Sequence, residues 1–223
     1  MNPSHHPSEA WLLDFALGNL TPSFETVLNA HIGSCAECRE NVRLVETLGG
    51  EILSGLSGSH LSASIDTADL MSMQSNGDAK KHRASEPSSR ALETVAPESF
   101  EHFVKTYLHS SINGLRWRTL GKGLQICQLS NEDDVRLWML KAQPGTVLPE
   151  HSHIGSELTM VLKGAYFCGS EIFRAGDIED ADEETQHRPV VTQDSECICL
   201  AVTEGNLQFK SLLPRLVQPL IGI

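Results

Sequence analysis

The sequence predicts an α+β chain of two domains, a small helical bundle followed by an antiparallel β-sandwich or barrel, and three observations carry that prediction. In the first part of the chain apolar residues recur every three or four positions, the period of a helix with one buried face. Later they fall in short alternating or continuous runs, LRWRTL, LQICQLS, VRLWMLKA, LTMVLKGAYF, ECICLAV and LQFKSLL, separated by Gly, Asp, Asn and Pro, the pattern of many short strands. Between them lies SNGDAKKHRASEPSSRALETVAP, rich in small and polar residues and nearly free of core formers, which reads as a flexible connection. The expected boundaries are a helical domain over 1–74, a linker over 75–97 and a β domain over 98–223.

The helical elements follow in order. Ser8 can cap a first helix carrying Trp11, Leu12, Leu13, Phe15, Ala16 and Leu17, which ends near Gly18 and Asn19. Thr21 followed by Pro22 starts a second, because threonine caps and proline gives up no needed donor in the first turn; it runs through Val27 and Leu28 toward His31. A third follows Gly33 and Ser34, with Val42, Val45, Leu48 and Ile52 on one stripe and Gly49–Gly50 as a place to bend or end. A weaker helix is expected around Leu61 to Met73.

Composition narrows the function classes. The formal charge is -12 over 223 residues, and acid exceeds base in both expected domains, so direct binding to a phosphate backbone is disfavoured and a basic protein partner is easier to accommodate. No apolar stretch reaches bilayer-spanning length and the N-terminus lacks a basic segment followed by an apolar run, which predicts a cytoplasmic chain without a membrane segment. In that compartment the six cysteines stay reduced, so metal binding, reactivity or burial must account for them.

The segment HIGSCAEC sets out His31, Cys35 and Cys38 as His-x3-Cys-x2-Cys. Imidazole and thiolate are preferred ligands of Zn²⁺, and a two-residue gap lets both sulfurs reach one tetrahedral centre. The cysteine pair opens the third helix, where the partial positive charge favours thiolates. A fourth ligand is needed, and His5 or His6, just ahead of the first helix, supplies it, with His6 preferred. A domain this small buries little surface, and the metal provides stability that its core lacks. The first domain is thus expected to be a small zinc-bound helical bundle. Plain buried cysteines, or a redox dithiol, are the competing readings; the second is weakened because the pair follows helices rather than a strand.

A second constellation lies in PGTVLPEHSHIGSELTMVLKGA. His151 and His153 project from one face of an extended chain, and Glu157 follows close enough to join them at one metal. Two imidazoles and a carboxylate suit Zn²⁺, Fe²⁺ or Mn²⁺. His187, eleven residues after Gly176, brings a third imidazole from a neighbouring strand. The spacing of Gly145, His151, His153, Glu157 and Gly164, then Gly176 and His187, resembles the paired motifs of the cupin family. The second motif departs from that pattern, with Asp182 and Glu184 where Pro and Gly are frequent and Val191 where Asn is common, which puts its turn geometry in question.

The acidic run Asp177, Glu179, Asp180, Asp182, Glu183 and Glu184 reads first as a solvated turn, with a role in raising the basicity of His187 as the alternative. Cys197 and Cys199 share one side of a strand and read as buried core, or as a pair of oxidisable thiols. Cys127, Cys168 and the three tryptophans read as packing residues.

Taken together, HHPSEAWL, AHIGSCAECR, LRWRTLG, the two cupin motifs, ECICLA and the ending LPRLVQP make the chain similar to the ChrR-type zinc-binding anti-sigma factors over nearly its whole length. That resemblance implies a 1:1 complex with an extracytoplasmic-function sigma factor, kept from RNA polymerase by the helical domain. It implies one Zn²⁺ at His6, His31, Cys35 and Cys38 and another at His151, His153, Glu157 and His187. It further implies a regulator rather than an enzyme, whose cupin half is dispensable for inhibition and needed to answer singlet oxygen and related oxidants. The alternative is a metal-dependent cupin dioxygenase with an accessory helical domain; a DNA-binding repressor conflicts with the charge.

Overall fold

A computed structural model of the chain describes residues 3–55, 100–108, 112–132 and 134–210. The expected helix around Leu61 to Met73, the whole expected linker and the LPRLVQP ending lie outside the described residues.

Three helices open the chain: α1 Glu9–Leu17, α2 Pro22–Ser34 and α3 Ala36–Gly55. Gly18 ends α1 in the left-handed region at φ 69°, and its neighbour Asn19 donates its amide to the Asp14 carbonyl, the closure expected where a helix stops on glycine. Ser8 and Thr21 occupy the capping positions with extended backbone, yet neither hydroxyl caps its helix. The Ser8 amide donates instead to the Asp180 carboxylate at 3.0 Å. Helix α3 continues through Gly49 and Gly50, so glycine's helix penalty of about 1 kcal/mol does not stop it there. Its predicted stripe is split: Val42 is buried, whereas Leu48 and Ile52 are exposed.

A fourth helix, α4 Phe100–Tyr107, precedes the strands β1 Arg118–Gly121, β2 Leu124–Glu132, β3 Val135–Ala142, β4 His151–Ser152, β5 Glu157–Lys163, β6 Ala165–Cys168, β7 Glu171–Arg174, β8 Ile178–Ala181, β9 Val190–Val191, β10 Cys197–Glu204 and β11 Gln208–Phe209. Among the described residues all pairings are antiparallel, in a six-stranded sheet ordered β1-β2-β3-β10-β5-β8, a three-stranded sheet β7-β6-β9 and the pair β11-β4. The run LTMVLKGAYF is two strands rather than one. Gly164 divides it at φ 76°, where a Cβ would stand 2.3 Å from the Glu196 carbonyl oxygen, so the chain can turn there only on glycine.

Strand β10 is buried on both sides, which explains its continuous apolar reading. Leu200 and Val202, with Leu137, Met139, Leu158 and Met160, belong to one core with Leu28 and Ile32 of α2 and Phe103 of α4. Cys197 and Cys199 face the other way, into a second core with Ala142, Tyr166, Phe173 and Val191. The sheet therefore carries helices on one face and the barrel interior on the other. Residues 3–46 and the described residues between 100 and 210 form one compact unit, to which residues 47–55 at the end of α3 do not belong.

Candidate metal centres

The first ligand group assembles where the N-terminal segment, the last turn of α2 and the first turn of α3 meet. Tight α2–α3 succession puts His31 in the final turn of α2, Cys35 at the junction and Cys38 in the opening turn of α3. His31 Nε2 stands 3.3 Å from Cys38 Sγ, and His6 Nδ1 stands 3.4 Å from both Cys35 Sγ and Cys38 Sγ. Bond lengths of about 2.3 Å to sulfur and 2.0 Å to nitrogen put tetrahedral Zn²⁺ ligands about 3.5 Å apart, so these four donors fit the ion.

Protonation favours the same reading. His31 Nδ1 donates to the Gly176 carbonyl oxygen at 2.8 Å, leaving the Nε2 lone pair turned toward the thiols. Burial drives the His31 pKa down to about 4, so the imidazole is neutral, the ligating form. Burial, followed by the neighbouring Cys35 charge, pushes the Cys38 thiol up to about 12. A cation held by His6, His31, Cys35 and Cys38 would supply the positive charge that reverses this and favours thiolates.

His5, the other N-terminal candidate, points elsewhere. Its Nδ1 lies 3.2 Å from Asp177 Oδ2, its Nε2 lies 3.2 Å from Glu171 Oε2, and its ring packs against Phe173.

The second group is formed by joining the two motif segments. His151 and His187 exchange backbone hydrogen bonds of 3.1 and 3.0 Å, and β5 begins at Glu157. Ligand atoms of His151, His153, Glu157 and His187 all lie within 4.8 Å of one another, and all four residues are buried. His151 Nδ1 donates to the Pro149 carbonyl at 2.9 Å, while His187 Nδ1 lies 2.7 Å from Glu179 Oε1. These outer partners aim both Nε2 atoms inward, 2.9 Å apart. His153 Nε2 lies 3.3 Å from Glu157 Oε2, yet neither this oxygen nor either His153 nitrogen makes a hydrogen bond. Buried donors and acceptors left orphaned are costly. A cation held by these nitrogens and the carboxylate would satisfy them together.

A family model described as the ChrR cupin-like domain matches residues 107–208. The anti-sigma-E factor ChrR of Cereibacter sphaeroides is 36% identical over 223 residues, covering all of this chain and all of that protein. The chain belongs to the ChrR family. One chain of the crystal structure of Rhodobacter sphaeroides SigE in complex with the anti-sigma ChrR matches with a TM-score of 0.67 and 31% identity, covering 91% of this chain and 100% of that one. An RmlC-like cupin protein from Ralstonia eutropha matches at 17% identity and a TM-score of 0.42, over 46% of this chain and 71% of that one. Like other members of the ChrR family, this chain is thereby an anti-sigma factor, with helices ahead of a cupin-type sheet.

Beyond the eight ligand candidates, the structure of this ChrR-family chain gives roles to residues that the sequence leaves in the background. The acidic run is not one solvated turn: Asp182, Glu183 and Glu184 are exposed, but Asp177 and Glu179 are buried. Burial weakens the charged form of His187, yet the Glu179 partner outweighs it and holds the histidine above its ordinary value. Tyr166 donates its hydroxyl to the second Glu179 oxygen. Asp182 rebuilds the turn that the departure from the cupin pattern put in question, its Oδ1 accepting the Glu184 and Thr185 amides at 3.1 and 3.0 Å. Cys197 Sγ and Cys199 Sγ stand 3.6 Å apart on the wall of the cavity that also exposes His151 and His187, next to Trp138 and Tyr166. Cys168 is half-buried, and with Glu179 and His187 it makes a third ligand-bearing cluster.

Proposed function

We propose that this anti-sigma factor sequesters an extracytoplasmic-function sigma factor in a 1:1 complex, away from RNA polymerase, and does so with helices fixed by Zn²⁺ at His6, His31, Cys35 and Cys38. The observation that carries the reading is the convergence of those four donors on the α2–α3 junction, from which α3 presents Leu44, Leu48 and Ile52 at 58%, 51% and 68% exposure. These residues recur every fourth position along one side of the helix, an arrangement suited to helix-in-groove recognition. Leu13 and Leu17 of α1 add exposed apolar surface. RNA polymerase works in the cytoplasm, and that is the compartment we assign; among the described residues no helix is long and apolar enough to cross a membrane.

His151, His153, Glu157 and His187 would hold a second Zn²⁺ in the sensing half. Bound there, the ion would supply a fixed positive charge to four buried ligands, of which the His153 nitrogens and Glu157 Oε2 have no other hydrogen-bond partner. The chain's own residues do the rest: Pro149 and Glu179 orient two imidazoles, and the apolar lining limits water. We assign restraint to residues 1–74, connection to 75–97 and sensing of singlet oxygen or related oxidants to 98–223. The test is coexpression of the full chain with the sigma factors of its own genome. A stable 1:1 complex that blocks sigma binding to the polymerase core, lost in Cys35→Ala and kept in His151→Ala, supports the reading; failure to retain any sigma factor removes it. Metal content of the purified complex decides Zn²⁺ against Fe²⁺ or Mn²⁺ in the cupin group.

A further inference from the structure

We propose that the stretch Gly176–Asp180 couples the two ligand groups, so that the state of the cupin group sets how firmly the N-terminal segment carrying His6 is held. Its biological use rests on the anti-sigma reading above, but the coupling is a property of the chain alone.

Each residue of this stretch is committed to one group or to the segment that serves it. The Gly176 carbonyl receives the His31 Nδ1 hydrogen bond at 2.8 Å, and Pro3 lies against the glycine, 3.2 Å from where a Cβ would stand at φ +98°. Asp177 Oδ1 accepts the amides of Ser4 and His5 at 2.6 and 3.2 Å. The Ile178 amide donates to the His5 carbonyl at 3.2 Å. Asp180 accepts from the Ser8 amide and from Trp11 Nε1, both at 3.0 Å. Glu179, between them, turns to the cupin group, 2.7 Å from His187 Nδ1.

A ligating histidine is held in tautomer and orientation by a carboxylate or backbone carbonyl that takes its second ring N–H. Here the partner of one histidine in each group comes from positions three residues apart on one backbone, Gly176 and Glu179. Such hydrogen bonds weaken steeply once a shift of one partner takes the donor–hydrogen–acceptor angle below about 120°. Displacement of Glu179, when His187 changes its ligation, therefore bears on the bonds holding residues 4–11 and on the orientation of His31. Asp177, Glu179 and Asp180 are positioning residues in this scheme.

The test uses the full-length zinc-loaded protein without a sigma factor, and follows amide hydrogen exchange in peptides spanning residues 4–11. His153→Ala disables the cupin group without touching Gly176–Asp180, and Glu179→Gln keeps the side-chain shape while weakening the hold on His187. Each is expected to speed exchange in residues 4–11 about fivefold or more, the lower range of measured site-to-site coupling, while β2 and β3 stay protected. Linkage demands the reverse effect: Asp180→Ala, an exposed position, must lower the zinc affinity of the cupin group in a chelator competition. Unchanged exchange in both variants, or unchanged affinity in Asp180→Ala, overturns the proposal. Should His153→Ala fail to fold, Glu179→Gln carries the exchange measurement by itself. A chain that shows the coupling but retains no sigma factor loses the anti-sigma reading and keeps this one; a chain that retains sigma factor without the coupling does the opposite.

Discussion

His31 and Gly176, 145 positions apart, are joined by a 2.8 Å hydrogen bond from the imidazole Nδ1 to the carbonyl oxygen. Through it, backbone belonging to the β-rich half chooses the tautomer of a ligand candidate in the helical half. His31 Nε2 is thereby left to face Cys38 Sγ at 3.3 Å, and the two halves share an outer sphere as well as a core.

Cys35→Ala should release one equivalent of zinc per chain and leave the other. A structural site of this donor type contributes to folding through metal binding, so the variant should also weaken the sigma complex at least tenfold. Metal analysis and a binding titration check both; full zinc content with unchanged affinity would sink the assignment of the first group.

His151→Ala should have the complementary effect. The cupin group loses its metal, while the sigma complex persists with its affinity lowered only about fivefold, the share that the Gly176–Asp180 coupling passes to the first group. The complex should then no longer dissociate on exposure to singlet oxygen, measured by size exclusion after illumination with a photosensitiser. Dissociation at the wild-type rate would count against a sensing role for the cupin group.

Leu48→Glu probes the exposed side of α3. At 51% exposure the leucine contributes little to the fold, so the melting temperature should move by no more than about 2 °C, as for most surface substitutions. If α3 lies at the centre of the sigma interface, affinity should fall about 30-fold or more, as for a buried hot spot of about 2 kcal/mol. Undiminished binding would move the interface off this helix.

Asp182 gives a pH-dependent prediction. Hydrogen bonds from Thr185 Oγ1 and the Glu184 and Thr185 amides hold its carboxyl below the ordinary value. With the folded pKa below the unfolded one, the carboxylate stabilises the turn above the unfolded value of about 3.9 and ceases to do so as pH falls through the folded value. An NMR titration should find Asp182 below the model-peptide pKa, and Asp182→Ala should speed amide exchange at Glu184 and Thr185. A titration at or above the ordinary value would contradict the turn.

The legible parts of this protein are those whose chemistry is local. Cys35 and Cys38 must sit two residues apart to share an ion, and His151 and His153 must alternate to share a strand face, so spacing alone pairs them. The change from helical to strand periodicity separates the two halves for the same reason. What escapes is set by distant partners. Ser8 has the residue type of a cap, yet its amide is taken by Asp180, 172 positions away, and its hydroxyl does not cap α1. Asp177 and Glu179 belong to a charge run that reads as solvent-facing, and only the packing of the N-terminal segment and of His187 against them accounts for their burial. The choice of His6 over His5 as a member of the first group likewise depends on Asp177 and Glu171 drawing His5 aside.

Strand β10 is covered on both sides, and the helical half supplies much of the cover on one of them. Cleaving the chain between its halves and parting the pieces would therefore bare Leu200, Val202, Met139 and Leu158 on one fragment and Leu28 and Ile32 on the other. Leu→Ala truncations in such cores cost about 2–5 kcal/mol each, and stripping a whole face exceeds what a small domain has in reserve. Either fragment, unless a partner covers its bared face, would be prone to self-association and to degradation, so proteolysis between the halves would be a one-way event: a chain once cut would be cleared rather than reassembled.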